Sequence, residues 1–239
     1  MPDEDIPIGP GRAHRRAAGT ALHPARESLE TLARQKLAMG SLDFAAQYQQ
    51  APVPPEGAMI KRVWLRFFAH EPARQRDDVV VLSWDTAMKA NERADYSVCT
   101  VWMIRGEAHY LLDLHRERLD FPELKRKAIA LHERWRPTAT LVEDKGSGTS
   151  LVQELRAAGL PVIGCDTRGD KEMRLSAQSA RFEAGAEFFP AEASWLNDLL
   201  VELLAFPAGR HDDQVDSISQ ALEWAQQNRC RPRPHIRRL

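Results

Sequence analysis

From residue 79 onward, the apolar positions of the chain first follow a strand pattern. The run VVVLSWD (79–85) is continuously apolar, as expected of a central strand that is buried on both faces. Comparable runs predict further strands at 96–106, 107–117, 138–144, 160–166 and 186–190. A turn near Arg105-Gly106 would join the second and third of these strands as a hairpin.

The segments between these runs repeat their apolar residues at helical spacing. Leu124, Ala128 and Leu131 do so within 121–135. The same pattern predicts helices at 148–159, 170–185, 194–206 and 211–227. Two antiparallel strands followed by alternating strands and helices predict an α/β fold, with a mixed sheet of about five strands and helices on both faces.

The flanking regions differ from this pattern in composition. Residues 1–25 are polar and aperiodic and are expected to be a disordered tail. Residues 26–58 predict a helix broken at Gly40, a second short helix and the Pro-rich linker APVPPEG. The folded domain is then expected over 59–228, with MIKRVWLRFF (59–68) as a short additional strand, and a basic tail over 229–239.

Composition excludes several classes of protein. The formal net charge of −1 gives no overall basic signature for nucleic acid, although the tail 229–239 holds five arginines and no acid. Such a tail is usually solvated and less often contacts phosphates. Cys99, Cys165 and Cys230 are too scattered for a zinc knuckle. No signal peptide is evident, and no apolar run approaches the ~18 residues that span a bilayer, so a cytoplasmic location without membrane contact is expected.

Two carboxylates fall at the ends of predicted buried strands. Asp85 ends the first strand, and Glu143 ends the strand TATLVE. In open α/β sheets the functional crevice lies outside the carboxyl ends of the parallel strands. Both side chains are therefore expected at that crevice. Taken singly, Asp85 could be a turn former and Glu143 the start of the turn-like loop that contains Gly146 and Gly148.

The last predicted helix begins with further acids. Val215 and Ile218 start its apolar stripe, and Asp213 and Asp216 fall together on the other side, one turn apart, with Asp212 beside them. Asp212 alone could be a helix N-cap. Four or five carboxylates from three segments would repel one another unless cations were present. Such hard oxygen ligands suit Mg²⁺ or Mn²⁺, and two such ions could hydrolyse a phosphodiester.

The order strand-end Asp, strand-end Glu and helical D-x-x-D resembles the RNase H-like nuclease superfamily. The motifs SWDTA, a downstream DYS, LVEDKGSGTSLVQELR, DKEMR, FEAG, FFP and RHDDQVDSISQAL occur in this order and resemble the C-terminal nuclease domain of tailed-phage terminase large subunits over about 79–227. The stretch FAAQYQQAPVPPEGAMI resembles the segment that joins the terminase ATPase to its nuclease.

This resemblance implies a metal-dependent endonuclease that cuts double-stranded DNA during genome packaging. It maps Asp85, Glu143, Asp213 and Asp216 onto the metal-binding catalytic carboxylates, with Asp212 as a cap or an additional ligand. The implied partners are double-stranded DNA and, in the packaging complex, the portal protein, the small terminase subunit and a separate ATPase domain. The implied location is the cytoplasm of an infected or lysogenic bacterial cell.

Five further residues are weaker candidates. Asp95 could assist Asp85 through water, although a turn role is the simpler interpretation. His211 could be a general acid or merely structural. Lys145 could meet a phosphate, neutralise carboxylates or be solvated. Lys171 and Arg174 stand one turn apart and could hold the DNA backbone.

For Lys171 and Arg174 the alternative is a surface ion pair with Asp170 or Glu172.

The chain carries no G-x-x-x-x-G-K-[ST] motif, so an ATPase motor is not expected within it. A split gene, a prophage remnant or a truncated chain would each explain this. Two other functions stay open: a RuvC-like resolvase of branched DNA, and a catalytically silent docking module of the packaging complex.

Overall fold

The computed structural model describes residues 4–9, 12–16, 20–21, 23–48, 59–87, 96–166, 170–209 and 211–228. The chain divides into two compact units, Met1–Pro52 and Val53–Leu239. The linker predicted at the end of 26–58 falls largely on 49–58, and the basic tail on 229–239. Both segments lie outside the described residues.

The first unit contains a strand pair and an interrupted helix. Strands β1 (Glu4–Gly9) and β2 (Arg12–Arg16) pair antiparallel, so the expectation that all of 1–25 is disordered is wrong for these residues. Helix α1 (Leu29–Tyr48) is interrupted at Gly40, where φ is 82°, which confirms the predicted break.

The second unit begins with one turn of 3-10 helix at Arg62–Trp64. Of the region predicted as a strand over 59–68, only Arg66–Phe68 form one. The strands of this unit are β3 (Arg66–Phe68), β4 (Val79–Asp85), β5 (Ser97–Arg105), β6 (Ala108–Glu117), β7 (Ala139–Glu143), β8 (Val162–Cys165) and β9 (Glu187–Pro190). Its helices are α2 (Phe121–Trp135), α3 (Ser147–Ala157), α4 (Lys171–Glu183), α5 (Leu196–Ala205) and α6 (Asp213–Asn228).

All seven strands form one mixed sheet in the order β3-β9-β6-β5-β4-β7-β8. Strand β5 pairs antiparallel with both of its neighbours, and the other pairs are parallel. The predicted hairpin is β5–β6. The sheet has seven strands rather than about five, because the short strands β9 and β3 extend it beyond β6. No helix within the described ranges combines the length and the apolar character needed to cross a bilayer.

The residues of each central strand alternate between two cores. Val80, Leu82 and Trp84 of β4 pack with α2 and α3, whereas Val81 packs with α4, α5 and α6 on the opposite face. This alternation is the normal consequence of the two-residue repeat of a strand. Helices therefore cover both faces, as predicted, and the side on which each strand-end residue lies is fixed by its position in this repeat.

Helix α6 is joined to the middle of the sheet by buried hydrogen bonds. The Ser217 hydroxyl donates to the Ser83 carbonyl at 2.8 Å and lies 2.8 Å from the Thr100 hydroxyl. Gln220 donates to the Ser83 hydroxyl at 2.9 Å and to the Trp84 carbonyl at 3.2 Å. The polar side of α6 is thus not solvated as a simple amphipathic pattern predicts, since Ser217 and Gln220 are buried and hydrogen-bonded to the sheet.

We expect Ser217→Ala to lower the free energy of unfolding by about 1–3 kcal/mol, because it leaves the buried Ser83 carbonyl and Thr100 amide without this partner. Urea unfolding monitored by circular dichroism measures this change. Ser150→Ala, at an exposed position of α3, is the matched control and should change stability by less than about 0.5 kcal/mol. Equal effects of the two substitutions would contradict the prediction.

Candidate active site

Strand alternation places Asp85 and Glu143 on the same face of the sheet. Val81 of β4 and Leu141 of β7 pack in the core that contains α6. Asp85 and Glu143 lie four and two residues further along these strands, so they emerge on the same side. Because β4 and β7 are adjacent and parallel, with Trp84 paired to Val142, the two carboxyl groups meet just beyond the last paired residues.

The first turn of α6 brings two more carboxylates to this point. Burial raises the pKa of Asp85 well above its usual range, and a hydrogen bond with Glu143 and the negative charges of Glu143, Asp216 and Asp213 raise it further. The hydrogen bond puts Glu143 in contact with Asp85, and the effects of Asp213 and Asp216 on the same pKa place both acids in its neighbourhood. The structure therefore brings together Asp85, Glu143, Asp213 and Asp216, the four residues singled out in the sequence.

A glycine-dependent contact holds the loop after β7 against this edge. A Cβ at Gly148 would lie 1.9 Å from the Glu143 carbonyl oxygen, so no other residue fits there without displacing the backbone. Gly146 has φ of 55°, a left-handed conformation that favours glycine. The Ser147 hydroxyl contacts the Thr86 hydroxyl at 3.0 Å. These contacts fix the start of α3 beside the ends of β4 and β7.

Asp216 has a basic partner at each of its carboxylate oxygens. Arg174 Nη2 lies 2.6 Å from Oδ1, and Lys171 Nζ lies 2.6 Å from Oδ2. Lys171 also lies 2.8 Å from Asp212 Oδ2. Burial raises the pKa of Asp216, and these two cations oppose that shift. Lys171 and Arg174 therefore pair with acids of α6 and the residue before it, rather than with Asp170 or Glu172.

Asp212 occupies the N-cap position of α6, where its carbonyl accepts the Asp216 amide at 2.9 Å. Its half-exposed carboxylate pairs with Lys171. Glu202 of α5 supplies the side-chain cap: it accepts the Gln214 backbone amide at 2.7 Å and the Gln214 side-chain amide at 2.6 Å. The sequence analysis missed Glu202, although its helical spacing from Leu199 places it on the apolar side of SWLNDLLVELLAF, which was a usable signal.

Basic side chains also approach the other carboxylates. Lys145 Nζ lies 3.2 Å from Glu143 Oε1, which agrees with the interpretation that Lys145 neutralises a carboxylate. Arg116 Nη2 lies 3.7 Å from Asp213 and 3.6 Å from Glu202. The sequence analysis also missed Arg116. Because it lies two residues beyond Leu114 on β6, strand alternation could have placed it on the α6 face.

Among the weaker candidates, His211 lies near the site and Asp95 lies outside the described residues. The His211 ring meets Tyr96 edge-on, with 6.0 Å between ring centroids. The Tyr96 ring also contacts two guanidinium groups, Arg116 at 4.0 Å and Arg118 at 4.6 Å. These contacts make an aromatic and basic border beside Asp213.

The donor set fits a hard divalent cation. Four convergent carboxylates supply oxygen ligands, and the pKa of Asp85 is raised first by burial and then by the neighbouring acids. Within the described ranges, no three acidic, imidazole or thiol groups are already arranged as a metal-binding set. Glu143 instead pairs with Lys145, and Asp216 pairs with Lys171 and Arg174. A divalent cation that binds these carboxylates would therefore have to displace at least one of the basic side chains.

The sheet order β6-β5-β4-β7-β8, with acids at the ends of β4 and β7 and on the last helix, defines the RNase H-like class. The chain belongs to the family described as the Terminase RNaseH-like domain, whose sequence model matches residues 82–224, more than half of the chain. The fold class and the terminase resemblance inferred from the sequence are thereby confirmed. No protein with a curated description matches the chain.

Solved terminase structures share this fold. The large terminase nuclease from thermophilic phage G20c with bound magnesium is 19% identical, with a TM-score of 0.57 over 71% of this chain and 98% of that one. The large terminase nuclease domain of Thermus phage P74-26 is also 19% identical, with a TM-score of 0.52 over 66% and 90%.

A longer protein is also similar, the large terminase of a further thermophilic bacteriophage, solved with ATP-γ-S. It is 12% identical, with a TM-score of 0.62, and the match covers 80% of this chain and 51% of the phage protein. This chain therefore corresponds to about half of that large terminase. At these identities the comparisons establish the fold.

The raised pKa of Asp85 predicts a pH-dependent stability of the metal-free protein. The folded state binds this proton more tightly than the unfolded state, so the contribution of Asp85 to stability falls as pH rises from 3.8 through the raised folded pKa. Asp85→Asn removes this loss. In EDTA, the melting temperature of the variant should exceed that of wild type by a margin that grows with pH.

Asp78→Asn is the control of opposite sign. Hydrogen bonds from Arg105 at 2.9 and 2.7 Å lower the pKa of Asp78. Asp78 therefore contributes stability above pH 3.8 that is lost as pH falls through its lowered folded pKa. Its asparagine variant should melt below wild type at neutral pH. If both asparagine variants shifted melting in the same direction, the electrostatic explanation of the Asp85 effect would be refuted.

Proposed function

We propose that this chain is a divalent-metal-dependent endodeoxyribonuclease that cuts double-stranded phage DNA during genome packaging. The observation that carries the proposal is the meeting of Asp85, Glu143, Asp213 and Asp216, contributed by two parallel strands and one helix. Their mutual repulsion in a partly buried site creates a demand for cations. The family membership supports a nuclease acting on packaged DNA.

Mg²⁺ or Mn²⁺ is the proposed cofactor, because both ions prefer carboxylate oxygens. The G20c nuclease has been solved with bound magnesium, zinc and cobalt, which supports a divalent site in this fold. Two ions held by these residues would activate a water molecule and stabilise the leaving oxygen of a phosphodiester. Asp85, Glu143, Asp213 and Asp216 are the proposed ligands, with Asp212 as an additional one.

The surrounding residues would orient these ligands and the substrate. Gly148 keeps α3 close to Glu143, and the Ser217 contacts fix the helix that carries Asp213 and Asp216. Lys145 and Lys171 are proposed to meet the DNA backbone when the carboxylates bind cations, whereas Arg174, the third residue predicted to hold DNA, is proposed to keep its pairing with Asp216. Contacts of this kind carry no sequence information, so no strong sequence preference is expected. His211 and Asp95 stay predictions of supporting roles.

The packaging context implies partners for this domain. The large terminase solved with ATP-γ-S is about twice the length of the region matched here, so we propose that an ATPase domain acts together with this nuclease. The portal protein and the small terminase subunit are proposed as further partners, and the cytoplasm of an infected or lysogenic bacterium as the location.

Glu143→Gln should reduce cleavage of a supercoiled plasmid with Mn²⁺ by at least about 100-fold, the upper range for losing even an indirect metal contact. Asp144→Asn is the matched control, since this neighbouring acid is exposed and strand alternation turns it to the opposite face. Gel electrophoresis of nicked and linear products measures both variants. The control should cut at close to the wild-type rate.

Intact plasmid after incubation with wild type, or equal loss in the two variants, would refute the nuclease assignment at this site. A four-way junction cut far faster than linear duplex would instead identify a resolvase. The four-way junction and the linear duplex should be tested in the same experiment, because their cleavage requires the same carboxylates and only the structure of the DNA differs.

Mn²⁺ should also raise the melting temperature of the wild-type protein in the absence of DNA. A ligand present at 100 times its Kd stabilises the folded state by about 2.7 kcal/mol. Asp85→Asn should show a much smaller rise, because it removes one of the converging carboxylates. Differential scanning calorimetry with and without EDTA measures both. A wild-type protein indifferent to Mn²⁺ would favour a silent docking module.

A further inference from the structure

The two basic residues that hold Asp216 differ in their freedom to leave it. The Asp216 side chain is only 7% exposed, and the Arg174 side chain is 11% exposed, whereas that of Lys171 is 46% exposed. Each occupies a different carboxylate oxygen. One oxygen is therefore paired with a nearly buried cation and the other with a cation that faces water.

Lys171 bridges two carboxylates. Its Nζ contacts Oδ2 of Asp216 at 2.6 Å and Oδ2 of Asp212 at 2.8 Å. An ammonium group on a flexible four-carbon stem can move from a half-exposed pair into solvent at small cost. Its departure would free Oδ2 of Asp216 without burying an unpaired charge.

Separating Arg174 from Asp216 costs more than separating Lys171 from it. Its Nη2 donates to Oδ1 of Asp216 at 2.6 Å, and its Nε is buried without a hydrogen-bond partner among the described residues. Removing Asp216 from Arg174 would leave a nearly buried guanidinium without its carboxylate, which is costly. The planar group on Oδ1 therefore orients the carboxylate so that Oδ2 points towards Lys171.

We propose that Lys171 is an exchangeable internal counterion, displaced from Oδ2 of Asp216 when a divalent cation binds, and that Arg174 is a positioning residue that holds Oδ1. The proposal rests on the proposed metal-dependent function and adds the division of labour between the two basic residues. Simple charge repulsion predicts that removing either basic residue tightens metal binding. The exchange proposal predicts that removing Lys171 tightens metal binding and that removing Arg174 weakens it.

The test is calorimetric titration of the full chain with Mn²⁺ in the absence of DNA. Lys171→Met keeps the apolar stem and removes the competitor, so Mn²⁺ should bind about fivefold more tightly, equivalent to about 1 kcal/mol. Arg174→Met should weaken binding by at least about tenfold, as loss of a group that orients a ligand does. Lys171→Arg should bind Mn²⁺ nearly as wild type does.

Lys125→Met is the matched control for the loss of one positive charge. Lys125 pairs with Glu154 at 2.6 Å on the α2–α3 face and is 36% exposed, so its removal should leave Mn²⁺ affinity unchanged. Circular dichroism checks that each variant is folded. If Arg174→Met does not fold, Arg174→Lys, which keeps the charge but loses the planar fork, should still bind Mn²⁺ more weakly than wild type.

The outcomes separate the two proposals. Tighter binding by both Lys171→Met and Arg174→Met would overturn the division of roles, as would Lys171→Met behaving like Lys125→Met. In either case Mn²⁺ binding by wild type would leave the nuclease proposal intact. A wild-type chain that binds no Mn²⁺ would overturn both.

Discussion

The repulsion among carboxylates at one edge of the sheet is the constraint on which the surrounding structure depends. Asp85 has a raised pKa because it is buried beside other acids, and basic side chains reach the remaining acids from β6, α4 and the loop after β7. Removing water from like charges is unfavourable unless cations compensate. The same acids thus explain both the local arrangement of lysines and arginines and the demand for a divalent ion.

The backbone contributes by making this crowding unavoidable. Adjacent parallel strands end together, so Asp85 and Glu143 cannot separate without breaking the β4–β7 pairing. Buried hydrogen bonds from Ser217 then hold the first turn of α6 against the same edge. The electrostatic repulsion that favours wider spacing of the acids is outweighed by the packing of the sheet. A stable fold can therefore maintain an electrostatically strained site.

Much of this arrangement could be predicted from the sequence. Continuous apolar runs located β4 to β8, and their terminal acids indicated the crevice, because strand periodicity and sheet geometry are local rules. The short additional strand predicted over 59–68 exists only as β3, because one turn of 3-10 helix takes up residues 62–64. Periodicity could have placed Arg116 and Glu202 on the buried sides of their elements. It could not have identified their partners, because the contacts of Arg116 with Asp213 and of Glu202 with Gln214 join different elements. The buried hydrogen bonds of Ser217 and Gln220 were not predicted, because periodicity cannot distinguish solvated groups from internally bonded ones.

The attachment of α6 to the middle strands also bears on how the protein responds to heat. Ser217 and Gln220 of α6 are hydrogen-bonded to Ser83 and Trp84 of β4 in the interior. The helix that bears Asp213 and Asp216 should therefore not unfold independently of the sheet. Segments open separately only where few buried contacts restrain them. The acidic pocket and its scaffold should therefore be lost in one cooperative event, and the pocket should keep its shape up to the temperature at which the whole domain melts.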